Sequence, residues 1–165
     1  MSVIFLVTFT YGQDGQKGFG FDVGFATSKS LMAAIKYFDG LNAFSLGFSY
    51  QSNHELGKRA TKRLVDTIIG NGHYFYTVDI GYTRILNDQF SVEGEISIGP
   101  KKFYTNFTNN SFAAGGYHVI DKTNTQLGVG GILIYQFNDI FGLYAGYNTI
   151  RQANLGLQIN LVKKE

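Results

Sequence analysis

Between residues 74 and 99 the side chains alternate in size and polarity with a period of two, twice over. Tyr74, Tyr76, Val78, Ile80 and Tyr82 interleave with Phe75, Thr77, Asp79, Gly81 and Thr83. After Leu86, Asn87 and Asp88 the alternation resumes, with Phe90, Val92, Ile96 and Ile98 set against Ser91, Glu93, Glu95, Ser97 and Gly99. Period two marks paired β-strands, because a helix would repeat its apolar residues every three to four positions. Which face is bulky then decides the solvent. A soluble barrel turns its bulky apolar face inward. Here the polar face carries small residues that suit a narrow lumen, while the aromatic and aliphatic face suits lipid. The stretch predicts an all-β, antiparallel, transmembrane β-barrel.

The rest of the composition fits that reading. At 165 residues the chain is one domain's worth. Its 15 Phe, 11 Tyr and 21 Gly, with one Pro and no Trp, suit strands and aromatic girdles. A mean hydropathy of −0.04 is expected of a barrel, since lipid-facing and lumen-facing residues cancel in any window average. The net charge of +2 is scattered over turns and loops, which argues against nucleic acid as a partner. The absence of Cys excludes disulfides and thiolate metal sites. His54, His73 and His118 fall in or beside loops without metal-ligand spacing, so neither a metal nor another cofactor is expected.

Along the chain, residues 1–12 are uncharged and apolar and read as the tail of a secretory signal, with small residues near Gly12 where a peptidase would cut. Val3, Phe5, Val7 and Phe9 also alternate, so a strand is the competing reading. Residues 13–165 form the barrel domain. Phe19, Phe21, Val23 and Phe25 face one way with Gly18, Gly20, Asp22 and Gly24 behind them. Leu31, Ala33, Ile35 and Tyr37 follow a short link at residues 27–29, and Asp39-Gly40 predicts a two-residue hairpin turn that sets Phe38 opposite Leu41 and Ile35 opposite Phe44. The third strand carries Phe44, Leu46, Phe48 and Tyr50. Polar insertions at residues 52–73 and 100–122 flank the central hairpin, and three further strands follow, turned at Asn138-Asp139 and at residues 150–152. That makes eight strands, with tight turns at one end and both long insertions at the other, the outer-membrane arrangement with both termini on the periplasmic side. Aromatics would form a periplasmic girdle from Tyr37, Phe44, Tyr82, Phe90, Tyr135, Phe137 and Phe141, and an outer one from Tyr50, Tyr74, Tyr76 and Tyr147.

This pattern resembles the small eight-stranded barrels of bacterial outer membranes, of the outer-membrane protein A and X kinds. The Tyr11-Gly12-Gln13 stretch and the Asn-Asp turns look most like barrels of Bacteroidota. The resemblance implies an outer-membrane location and porin-like architecture, with a structural or surface-interaction role rather than a wide pore. Its partners would be the lipid bilayer, lipopolysaccharide and another outer-membrane or surface protein. The last strand ends Leu161-Val162 rather than on the aromatic residue common in such barrels. Gln51-Ser52-Asn53-His54 is similar to the His-x-Ser-Asn stretch of lipid A deacylases, where His is the general base for Ser; here His54 follows Ser52 instead of preceding it. An outer-membrane hydrolase using Ser52 and His54 is one alternative function, and a soluble, lipocalin-like ligand carrier is another.

Two clusters of charge remain. Leu56, Ala60, Leu64 and Ile68 lie at i, i+4 spacing and predict a short rim helix over residues 55–69, with Lys58, Arg59, Lys62 and Arg63 as a basic surface-contact face. Inside, Asp22, Lys36, Asp79, Glu93 and Glu95 have lumen parity. A three-residue turn at residues 86–88 sets Asp79 opposite Glu95 and Gly81 opposite Glu93, crowding carboxylates on one wall. Lys36 is the expected counter-charge, in ion-pair reach of Asp79, Glu93 or Glu95, and Arg84 has the wrong parity unless a bulge re-aims it. The cluster is expected to act as a structural plug, with a proton or small-ion path as the alternative.

Overall fold

The computed structural model describes residues 16–62, 67–108 and 115–164. The expected signal remnant at residues 1–12 lies outside them. The strands are β1 (Gln16–Ala26), β2 (Ser30–Gly40), β3 (Asn42–Gln51), the short β4 (Lys58–Ala60), β5 (Thr67–Ile85), β6 (Phe90–Thr108), β7 (Tyr117–Gln136), β8 (Phe141–Asn148) and β9 (Gln152–Lys164). All but β4 close into a ring of eight antiparallel strands in chain order, sealed by the pairing of β1 with β9. Closure leaves the ring no free edge.

Alternation sorts the side chains as expected for lipid outside and polar matter within. Leu46, Ile80 and Leu127 are 62%, 61% and 69% exposed on the outer wall, whereas Lys36, Ser49, Thr77 and Ser97 on the inner wall are completely buried. This inverts a soluble ligand carrier, whose lumen would be apolar. The girdle rings meet across strands, with Phe44 5.5 Å from Tyr82 and Phe90 5.2 Å from Tyr135 near the tight turns, and Tyr50 6.4 Å from Tyr74 near the opposite end.

Parity is as the sequence implied, but two hairpin registers are corrected by two residues. The first turn is Gly40-Leu41, not Asp39-Gly40, so Asp39 pairs with Asn42 and Ile35 with Leu46. Gly40 holds φ at 65°, the left-handed value that a primed hairpin turn demands at its first central position. In the second hairpin Ile85 pairs with Ser91. There the Asn87 carboxamide oxygen accepts the N–H groups of Gln89 and Phe90 at 2.9 and 2.8 Å and lengthens the turn. Asn138 does the same for Ile140 and Phe141 at 2.9 and 2.7 Å, so one Asn-capped turn serves both hairpins. A shift of two preserves which face each residue takes but changes its neighbours.

The predicted rim helix is also corrected. Within residues 55–69 the described residues hold the strand β4 and the start of β5. Ala60 packs with Phe107, Tyr117 and Val119, and β4 pairs in parallel with β7. Among the described residues the two insertions are largely strand as well. Residues 67–75 of β5 continue beyond Tyr76, the last residue paired with β3; nine residues of strand reach roughly 30 Å. With β6, β7 and β4 they form a sheet projecting from one side of the rim.

At the turn end the lumen is not polar. Phe38, Ala43 and Ile85 cluster inside it, with Leu41 and Val162 against them.

Candidate functional site

The lumen above that apolar seal is a network of four carboxylates and two cations. β1 contributes Asp22, β2 Lys36, β5 Asp79, and β6 Glu93 and Glu95, each placed inward by strand parity. The corrected register puts Glu95 opposite Gly81 and Glu93 opposite Thr83, with Asp79 opposite Ser97. No carboxylate directly faces another across that hairpin, which removes the cross-strand repulsion expected from the shorter turn.

Lys36 bridges two acids, its Nζ lying 2.9 Å from Asp22 Oδ2 and 2.7 Å from Glu93 Oε2. Glu93 also accepts the Ser45 and Thr83 hydroxyls, both at 2.8 Å. Arg151 is the second cation. It stands in the short β8–β9 link, yet its side chain is wholly buried. Its guanidinium pairs with Asp79 at 2.6 Å and with Glu95, and donates to Ser49 at 2.9 Å. Asp79 is further held by the hydroxyls of Ser49 and Thr77, and Glu95 by the Asn148 amide at 2.9 Å. Arg84 stays outside and donates to Asn42 Oδ1 at 2.8 Å. Sequence reasoning missed Arg151 because a connection residue has no parity. The signal available was charge balance, since one lysine cannot satisfy four buried acids.

The Arg151 link is itself tightly built. Asn148 Oδ1 accepts the Ile150 N–H at 2.9 Å, the Thr27 N–H reaches the Ala153 carbonyl at 2.8 Å, and Gln51 Nε2 donates to the Ser28 carbonyl at 2.6 Å. These bonds join the β8–β9 link, the β1–β2 turn and the end of β3 to one another. The cavity left between Asp22, Ser45, Asp79, Glu93, Glu95 and Arg151 is about 30 Å³, too small for a solute larger than water.

On the projecting sheet, the segment between β3 and β4 lies flat against β6. Asn106 brackets it, accepting from the Leu56 N–H at 3.2 Å and donating to the His54 carbonyl at 3.1 Å. The Tyr104 hydroxyl donates to the Asn53 carbonyl, and His118 Nδ1 meets the Leu56 carbonyl at 2.9 Å. Ser52 and His54 are both exposed, and among the described residues no hydrogen bond joins them. His54 takes φ 47°, which turns the chain at that point. Lys58, Arg59 and Lys62 are exposed beside this segment, and Arg63 lies outside the described residues. Burial and the neighbouring Lys101 hold His73 below the ordinary histidine range. No group of three or more His, Asp or Glu able to hold a metal occurs among the described residues.

The ring of eight strands, the lipid-facing band and the packed polar lumen define the class: an integral transmembrane β-barrel of the bacterial outer-membrane type. No family model matches the chain, and no curated protein matches its sequence. Solved structures do match. Ail, the attachment invasion locus protein of Yersinia pestis, superimposes with a TM-score of 0.51 at 14% identity, over 88% of this chain and 95% of that one. Neisserial surface protein A gives 0.45 at 13% identity over 87% and 94%, and the N-terminal β-barrel domain of Pseudomonas aeruginosa OprF gives 0.44 at 15% over 90% and 98%. At 14% identity the likeness to Ail is one of fold.

Proposed function

We propose that this protein is a surface-contact barrel of the bacterial outer membrane, with a lumen filled by side chains and its working surface on the projecting β5–β6–β7 sheet. The observation that carries this reading is the contrast between the two halves of the molecule. The lumen has ion pairs at its centre, an apolar seal at its turn end, and a cavity of only about 30 Å³ among its charged groups. The sheet, by contrast, carries nine residues of β5, roughly 30 Å of strand, beyond the last pairing with β3, and is braced by β4. A paired projection of this kind presents side chains beyond the membrane surface, where loops and strand ends carry contacts. The exposed Lys58, Arg59 and Lys62 then face acidic groups outside, lipopolysaccharide phosphates or an acidic surface protein.

Two measurements test the reading. Replacing Lys58, Arg59, Lys62 and Arg63 together by Ala is expected to lose material that co-purifies with the native protein from outer membranes. An unchanged set of co-purifying partners defeats the contact role. In planar bilayers the wild type is expected to stay closed. Steady pore currents that change on Glu95→Gln would overturn the plug and favour an ion path.

A further inference from the structure

Above the lumen mouth the inner wall of the barrel continues as the inner face of the projecting sheet. Cross-strand rows define it: Lys101 lies between Phe75 and Asn124, Phe103 lies between His73 and Lys122, and Thr105 lies opposite Asn71. Directly opposed residues share a face, and Lys101, Phe103 and Thr105 follow one another at period two, so these side chains project to one side. Lys101 Nζ stands 5.5 Å from the centre of the Phe103 ring, and the His73 ring 5.8 Å from it. Phe103 remains half-buried, while Lys122, Asn71 and Asn124 are exposed. Asp121, displaced by the bulge beside Lys122, accepts the Thr105 hydroxyl at 2.6 Å.

We propose that this face is a binding site for an extracellular acidic saccharide, an assignment that rests on the surface-contact reading above. A partly open aromatic ring with the Lys101 ammonium beside it and Lys122 in the facing cross-strand position offers the two contacts such a ligand needs. The apolar C–H face of a pyranose lies on Phe103, while Lys101 and Lys122 meet its carboxylate or sulfate groups. Asn71 and Asn124 at the edge supply donors and acceptors for hydroxyls. Lysine charges sit on flexible stems and do not require a planar, forked partner, so the spacing of acidic groups along a sugar chain is readily met. An acidic peptide fits less well, because its backbone brings no flat C–H face to lie on Phe103. Lys102 lies on the opposite, outward side of the sheet, its Nζ 5.7 and 5.0 Å from the Tyr74 and Tyr76 rings and away from Phe103.

The test uses the full chain in detergent micelles and titration calorimetry. The probes are a galacturonate hexamer, a sulfated hexasaccharide, neutral maltohexaose and a polyglutamate peptide. At least one acidic saccharide is expected to bind with an affinity that falls as salt rises, while maltohexaose stays unbound. Lys101→Ala and Lys122→Ala should each weaken binding about tenfold, the loss of one charge-assisted contact. Phe103→Ala should weaken it with the salt dependence unchanged, and the four-residue Ala variant of the basic loop should leave it intact. Circular dichroism and heat-dependent gel mobility confirm that each variant is folded. The site is overturned if neither acidic saccharide binds, or if polyglutamate binds equally well and Phe103→Ala changes nothing. It is equally overturned if only the basic-loop variant loses binding. Failure here with partner loss in that basic-loop variant removes this site alone; retention of all partners there removes the broader reading.

Discussion

Arg151 Nη1 lies 2.6 Å from Asp79 Oδ2, joining the β8–β9 link at the loop end to β5 on the facing wall of the lumen. The same guanidinium pairs with Glu95 on β6. One loop residue therefore ties three parts of the ring together from within. Removing it leaves two carboxylates buried without their cation, the costly half of a broken ion pair. Arg151→Met should lower stability by about 3–5 kcal/mol, read by urea unfolding in lipid vesicles with circular dichroism. Adding Glu95→Gln should recover part of the loss. A variant as stable as the wild type would show that the pairing has no structural role.

Lys36 makes the matching prediction lower in the lumen. Its Nζ is shared between Asp22 and Glu93, and Glu93 has two hydroxyl donors besides while Asp22 Oδ1 is buried without a donor. Lys36→Met should destabilise the barrel, and Asp22→Asn should rescue it better than Glu93→Gln. The reason is that Glu93 keeps two donors when the lysine is gone, whereas Asp22 keeps none. Melting temperatures of the single and double variants by heat-dependent gel mobility decide it; equal rescue by both would contradict the donor count.

Glycines on the two faces of the wall should behave oppositely. A Cβ on Gly156 would collide with the Tyr144 ring and with the Val23 carbonyl, so Gly156→Val is expected to block refolding. Tyr144→Ala should rescue it poorly, because the backbone obstacle stays. Gly94 faces lipid, and a methyl group added there would meet nothing within 4 Å, so Gly94→Ala should refold as well as the wild type or slightly better. Refolding yields into detergent measure both, and comparable yields for the two positions would refute the assignment of faces.

His73 supplies the pH dependence of the projecting sheet. Its pKa is lowered by burial and by Lys101, so below about pH 6.5 the unfolded chain takes up a proton that the folded one resists. The contribution of His73 is fully present above the ordinary histidine pKa and is lost as the pH falls from there through its own lowered value. Histidine NMR titration should place His73 below a free imidazole, and Lys101→Ala should move it back up. A His73 that titrates normally in the wild type would remove this dependence.

What was legible in the sequence follows from the period of a strand. Because side chains alternate strictly, Tyr82 outward and Glu93 inward could be read without knowing which residue each one faces. The eight strands and the lipid-facing band came with that. A register shift of two leaves parity untouched, so the sequence could not reveal that Asn87 and Asn138 lengthen their turns by bonding two N–H groups each; that depends on where the closing strands meet. Beyond the membrane both faces of a strand see water, and the alternation that marks a strand disappears. Residues 100–108 and 117–122 therefore read as polar loop although their backbones pair as sheet, and Ala60 at helical spacing packs as an edge strand. Arg151 was invisible for a related reason: a link residue carries no face until closure of the ring points it somewhere. The kind of barrel was written in the chain, while the partners of its buried charges were decided by how the strands came together around them.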